Sequence, residues 1–191
     1  MPVSPIDPAV ATATIDAALP LRTERLVLRR FTTDDLDAFR AYQSDPDTVR
    51  YLWRPILTPE QMGARMSETP ALAKDGDAYG IAIEHDGTLV GETVVKLTDA
   101  AGRQAEIGWI LAPEHRGRGY AAEAGRAALE LAWAIGAHRV TAVLDHENQS
   151  SARIAERLGM RREAVMVDDG VNGFTGEYGS TEIWAVLERE R

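Results

Sequence analysis

Cysteine is absent from the 191 residues. That excludes disulfides, thiolate metal sites and a cysteine nucleophile. No apolar run approaches the ~20 residues that a membrane-spanning helix needs. Basic residues are outnumbered, 21 Lys and Arg against 30 Asp and Glu, for a net charge of −9. An acidic surface argues against nucleic acid and against anionic lipid as partners, and suits a cationic or amine substrate. The histidines at 85, 115, 138 and 146 show no metal-ligand spacing, so no metal is expected. The opening stretch, MPVSPIDPAVATATIDAALP, has neither a basic region nor a long apolar core, so it does not read as a signal peptide. The cytoplasm is the expected location. With Pro2, Pro5, Pro8 and Pro20, residues 1–20 read as a flexible lead-in. Residues 21–191 then form a single domain, a length that supports one real core.

What is present reads as alternating elements. "RLVLRRF" (25–31) is a strand with Leu26 and Leu28 on one face. Thr32 caps a helix carrying Leu36, Phe39 and Tyr42. Thr58-Pro59-Glu60-Gln61 starts another with capping-box chemistry. "DAYGIAIEHDGTLVGETVVKL" is a hairpin turning at Asp86-Gly87, and "RQAEIGWIL" (103–111) is a third strand of that group. A helix over 121–136 places Ala124, Ala128, Leu131 and Ile135 on one face. A strand over 139–145, a helix over 148–160 and two last strands complete the chain. Grouped strands followed by alternation indicate α+β with a mixed sheet.

"EHRGRGYAAEA" (114–124) carries the chemistry. A glycine turn between strand and helix exposes backbone N–H groups, and the helix start adds partial positive charge, so the two make an anion site. Gly117 and Gly119 remove side chains that would hold an anion away. Arg116 and Arg118 add full charges, while Ala121, Ala122 and Ala124 keep the first helical turn thin. No Lys-Ser or Lys-Thr follows, which excludes a P-loop, and the strands that come first disagree with a dinucleotide fold. On its own the stretch also reads as a plain connecting loop with solvated arginines.

The run from Arg116 to Ala121 resembles the R-x-x-G-x-A coenzyme A pyrophosphate loop of the GNAT N-acetyltransferase superfamily. It follows a strand ending "WILAP" and precedes a second block, Asn148 to Met160, as in that family. "LRTERLVLRRFTTDDLDAF" and "TEIWAVLERE" are similar to the branch that acetylates ribosomal-protein N-termini. The resemblance spans 21–189. It implies a mostly antiparallel mixed sheet flanked by helices, with a splayed central strand pair, and acetyl transfer from acetyl-CoA to a primary amine by direct attack. It also implies that the N–H groups of Gly117, Arg118, Gly119, Tyr120 and Ala121 hold the pyrophosphate, with Arg116 closing the loop. Ile110 and Leu111 would pair with the pantetheine arm, and Asn148 would contact it. Another short acyl-CoA would fit the same groove.

The chain departs from the family pattern at Ala155, where many members carry a tyrosine that protonates the leaving thiolate. Ser151 stands where the ribosomal-protein branch has serine, and is the candidate donor to the sulfur; it also reads as a residue lining the first helical turn. Glu106 is the candidate base, on the same strand face as Gly108 and Ile110; it also reads as a structural strand carboxylate. Arg153, Arg157, Arg161 and Arg162 form a basic cluster, read as a solvated face before a 3′-phosphate site. The acceptor, a protein N-terminus or a small-molecule amine, is expected between residues 33–73 and 163–187. A homodimer stays among the alternatives. The rival function is a non-catalytic acyl-CoA-binding or sensing domain on the same fold.

Overall fold

Helix α1 (Pro8–Ala18) comes first in the computed structural model, which describes residues 4–68 and 70–191. This corrects the flexible lead-in expected for 1–20, of which residues 1–3 lie outside the described residues. Asp7 caps the helix, accepting from the N–H groups of Ala9 and Val10, and Pro8 occupies the first turn, where its missing N–H costs nothing. Ile6, Ala11 and Ile15 are buried in the main core. Pro8, one of the prolines behind that expectation, instead marks a helix start.

Strands β1 (Leu21–Arg22) and β2 (Val27–Arg29) follow, then helices α2 (Leu36–Gln43), α3 (Pro46–Val49) and α4 (Pro59–Ser67). Next come β3 (Ala78–His85), β4 (Thr88–Asp99), β5 (Gln104–Leu111), α5 (Tyr120–Ala134), β6 (Arg139–Asp145), α6 (Gln149–Arg157), β7 (Arg161–Val171) and β8 (Tyr178–Leu187). The strands make one eight-stranded sheet in the order β1-β2-β3-β4-β5-β6-β8-β7. Every neighbouring pair is antiparallel except β5 and β6. The fold is therefore the mixed, mostly antiparallel α+β sheet expected. The Asp86-Gly87 turn has positive φ at both residues, as a two-residue hairpin loop requires.

Pairing between β5 and β6 covers only Gln104–Glu106 against Arg139–Thr141. Beyond Glu106 the strands part, β5 running on to Leu111 and β6 to Asp145. This is the splayed central pair. One face of the sheet lies under α5: Val95, Ala105, Ile107, Val140 and Ala142 bury there, each of the larger side chains worth about 1.5–3 kcal/mol. Gly125 interrupts α5, which costs about 1 kcal/mol relative to alanine. A Cβ there would stand 2.9 Å from Leu158 Cδ1 and 3.4 Å from Trp109 Cε3, so its absence lets α5 close on β5 and α6. The opposite face is covered by α2 and α4 through Phe39, Tyr42, Met62 and Met66, which pack over Ala82 of β3 and Leu89 of β4 and reach Ile110 near the end of β5.

The start of α2 rests on one carboxylate. Asp35 accepts from the Thr32 N–H at 2.8 Å and from two Arg29 nitrogens at 2.7 and 2.8 Å. Burial alone would raise the Asp35 pKa; Arg29 and Thr32 overcome it and hold it below the usual carboxylate range. Because the folded value is depressed, the stabilisation is fully present above the unfolded value of about 3.9 and is lost as pH falls through the folded one. Asp35→Asn should lower unfolding free energy at neutral pH by about 3 kcal/mol, the scale for removing one partner of a buried pair. Urea melts should show that gap narrowing only below about pH 4; a pH-independent gap would mean the loss is packing.

Candidate active site

The glycine loop, Arg116 to Gly119, joins β5 to α5. Gly117 and Gly119 have φ of 75° and 84°, left-handed values that side chains resist. A Cβ on Gly117 would meet nothing within 4 Å, so the loop is open there. Gly119 caps α5 without a side-chain bond, and the N–H groups from Gly117 to Ala121 find no acceptor among the described residues. Bare donors, positive φ and a helix start fit a diphosphate. Arg116 ties the loop down, donating to the Leu111 carbonyl at 3.1 Å and to Thr48 of α3. Arg118 is exposed.

Arg25, before β2, braces the loop from outside, and the local motif gave no sign of it. Its Nε donates to Glu123 at 2.8 Å, its NH1 to the Arg118 carbonyl at 2.9 Å, and its guanidinium lies 4.9 Å from the Tyr120 ring. Tyr120 is buried, with His85 on another side of its ring. Burial would raise the Glu123 pKa, but Thr23 and Arg25 together lower it, so the carboxylate that anchors Arg25 stays charged.

The parting of β5 from β6 leaves a strand edge open. Thr141 reaches the Ala105 carbonyl from the β6 side, and Thr93 reaches the Gly108 carbonyl from the β4 side at 2.8 Å. By strand alternation the backbone groups of Ile107, Trp109 and Leu111 face the gap, while those of Ile110 face β4 opposite Glu92. Ile110 is therefore turned away from the arm expected to pair with it. Leu111 faces the gap, though Arg116 already occupies its carbonyl.

Ser151 and Glu106 lie on opposite sides of this gap. Ser151 sits in the first turn of α6, where its Oγ accepts from Trp109 Nε1 at 3.3 Å. The indole fills an acceptor site and leaves the serine O–H free to donate. Asn148 caps α6 through Oδ1, which accepts from the Ser151 N–H at 3.1 Å and Ser150 Oγ at 2.7 Å, so its amide NH2 alone is left for a ligand. Ala155 is fully buried. Glu106 projects from the other face at the vertex of the gap, 3.6 Å from Lys96 Nζ. Of the basic cluster, Arg161 pairs with Glu163 and Glu190 and Arg162 with Glu182, while Arg153 and Arg157 stand exposed.

On the Glu106 face the sheet past β4 lies open between α2–α4 and the β7–β8 hairpin. Trp53 closes one end. It has φ +56°, donates from Nε1 to Asp145 at 2.8 Å, and lays its ring on Gly170 and Gly179, where a Cβ would come within 3.0 and 2.9 Å. At the other end Glu92 of β4 is buried, accepting from Gln43 at 2.5 Å and from Arg65 at 3.0 Å. Burial pushes its pKa up against the pull of Arg65 and Arg54. Its only sequence signal is a carboxylate inside the apolar run "LVGETVV".

Comparison with known proteins agrees with this geometry. The family model described as Acetyltransferase (GNAT) domain matches residues 25–161. The chain is 28% identical over 171 residues to the uncharacterised N-acetyltransferase YnaD of Bacillus subtilis (strain 168), covering 89% of this chain and 98% of that protein. The crystal structure of a GNAT-family acetyltransferase from Bacillus anthracis superposes with a TM-score of 0.75 at 28% identity, over 88% of this chain and 98% of that one. RimL, the ribosomal L7/L12 α-N-protein acetyltransferase solved with coenzyme A, shares the fold with a TM-score of 0.72 at 18% identity, over 88% of this chain and 97% of that one. With a splayed strand pair beside a glycine loop of bare N–H groups, and a family match over residues 25–161, the chain belongs to the GNAT acetyltransferase family and is an N-acetyltransferase.

Proposed function

We propose that the protein transfers acetyl from acetyl-CoA to a primary amine held on the Glu106 face, by direct attack. The observation that carries this reading is the placement of Glu106 and Ser151 on opposite sides of the gap left by β5 and β6. The loop N–H groups of Gly117, Arg118, Gly119, Tyr120 and Ala121 hold the pyrophosphate. The pantetheine arm pairs with the gap-facing groups of Trp109 and Leu111 and meets the Asn148 amide.

The amine enters from the Glu106 side, and its proton passes through water to the carboxylate. Its nitrogen bonds to the thioester carbon. The oxyanion that develops finds the gap-facing N–H groups of β5. When the carbon–sulfur bond breaks, the thiolate faces Ser151, whose free O–H hydrogen-bonds to it, and the second proton shed by the attacking nitrogen passes through water to the sulfur, which leaves as the thiol. No covalent enzyme intermediate forms, so the missing cysteine is no obstacle. RimL acts on a protein N-terminus; for this chain the acceptor class includes protein N-termini and small amines.

Thiol release from acetyl-CoA against a panel of amino acids, peptides and polyamines tests the reading. Release should depend on acceptor. Ser151→Ala should lower kcat about tenfold, the value of one neutral hydrogen bond made mainly in the transition state, with coenzyme A affinity unchanged. Binding of acetyl-CoA without release on any amine would identify a sensing domain instead. An unchanged kcat would pass the leaving-group role to water.

A further inference from the structure

The open face carries a cation that forms no ion pair among the described residues. Arg54, in the loop between α3 and α4, donates through NH1 to the Pro55 carbonyl at 3.2 Å and through NH2 to Gln43 Oε1. Gln43 passes the contact on, its amide nitrogen donating to Glu92. Glu92 already has its ion pair in Arg65, so one positive charge remains. A guanidinium carries five N–H groups, and the others of Arg54 have no partner among the described residues. Arg54 forms no ion pair there, yet it is half-buried, and burial lowers its pKa against the pull of Glu92. A partly desolvated cation without a counter-ion is unfavourable in a resting protein and suits one that meets its counter-ion in a ligand.

The position agrees. Glu92 stands across from Ile110, one strand spacing of about 4.8 Å from the strand beside the coenzyme gap. The β7–β8 loop closes on the other side, where a Gly173 Cβ would lie 3.2 Å from Arg54 Cα. The Tyr42 hydroxyl in the same neighbourhood is buried without a hydrogen-bond partner among the described residues; burial and Glu92 hold its pKa well above the ordinary value, so it remains a neutral donor.

We propose that the acceptor amine carries a carboxylate and that Arg54, aligned by Gln43 and Glu92, binds it. The proposal rests on the acetyl-transfer reading of this face. A guanidinium fork matches a carboxylate with two parallel hydrogen bonds. Arg54, without an ion pair of its own among the described residues, matches a monoanion. Glu92, Glu106 and Asp145 share this face and repel a phosphate dianion more strongly. Polyamines, which bring only positive charge, are poor acceptors.

The test is paired kinetics on the whole chain, compared per free amine: α-amino acids against their carboxamides, peptides beginning with Asp against Asn, and an aminoalkyl phosphate. The carboxylated member should show kcat/KM higher by about 10²-fold, the scale on which a site with buried polar groups rejects an analogue that leaves them unpaired. Arg54→Gln should erase the preference, chiefly by raising KM for the carboxylated member, with coenzyme A affinity unchanged. Equal use of both members by the parent, or an equal loss on both in Arg54→Gln, overturns the proposal while acetyl transfer stands. Preference for the phosphate overturns the carboxylate. No thiol release with any amine overturns the acetyl-transfer reading itself. Should Arg54→Gln fail to fold, the parent ratio decides without it.

Discussion

A Gly119→Val variant should melt cooperatively and bind coenzyme A about a hundredfold more weakly than the parent, the loss of about two charge-assisted hydrogen bonds. Gly119 has φ +84° and caps α5 where the bare N–H groups converge. Valine resists that backbone and leaves it for a conformation that aims the N–H groups elsewhere. Its Cβ would also stand 3.3 Å from Arg25 NH2, a contact that presses on the brace holding the Arg118 carbonyl. The backbone strain is about 1–2 kcal/mol, within the 5–15 kcal/mol that keeps an ordinary domain folded. Calorimetric titration reads the affinity and a thermal melt confirms the fold. Unchanged affinity in a folded variant removes the loop from the binding site.

Glu106→Gln should reduce turnover by about 10²–10⁴-fold at neutral pH, the range for a positioned acid or base, with coenzyme A affinity intact. At neutral pH an alkylamine is almost wholly protonated, and its lone pair is unavailable until something accepts the proton. Glu106 stands at the vertex where β5 and β6 separate, on the face proposed to receive the acceptor. Its pairing with Lys96 at 3.6 Å is partly exposed, and such pairs contribute about 0–1 kcal/mol, so glutamine should not unfold the sheet. The deficit should shrink as pH rises toward the acceptor's pKa, because free amine no longer needs a base. A deficit constant over that range would assign Glu106 to positioning. No deficit would return it to a strand ion pair.

The sequence showed the parts of this site whose physics is local. The glycine loop is legible because positive φ, bare N–H groups and a helix start follow one another along the chain. The same holds for the Thr58–Gln61 capping box and the Asp86-Gly87 turn. Helix α1 was hidden because Pro8 was counted with Pro2, Pro5 and Pro20 toward a flexible lead-in, when it occupies a first helical turn. The turning away of Ile110 depends on register parity with β4, which one strand's sequence does not contain. Arg25, Glu92 and Arg54 act through partners 98, 49 and 11 positions away, brought together only by folding. The bond from Trp109 to Ser151 likewise joins strand to helix across 42 positions.

The Trp53 clasp makes the acceptor loop and the carboxy-terminal hairpin one unit of inheritance. The indole needs a flat bed, supplied by Gly170 and Gly179, and an anchor, supplied by Asp145. Grafting a relative's loop over 50–55 without its hairpin would leave the bed empty or collide with side chains there. Side chains added at 170 or 179 would evict the ring and release the loop. Selection for a new acceptor must therefore change both segments together, and a combinatorial library aimed at this enzyme should couple position 53 to 145, 170 and 179 rather than randomise them independently.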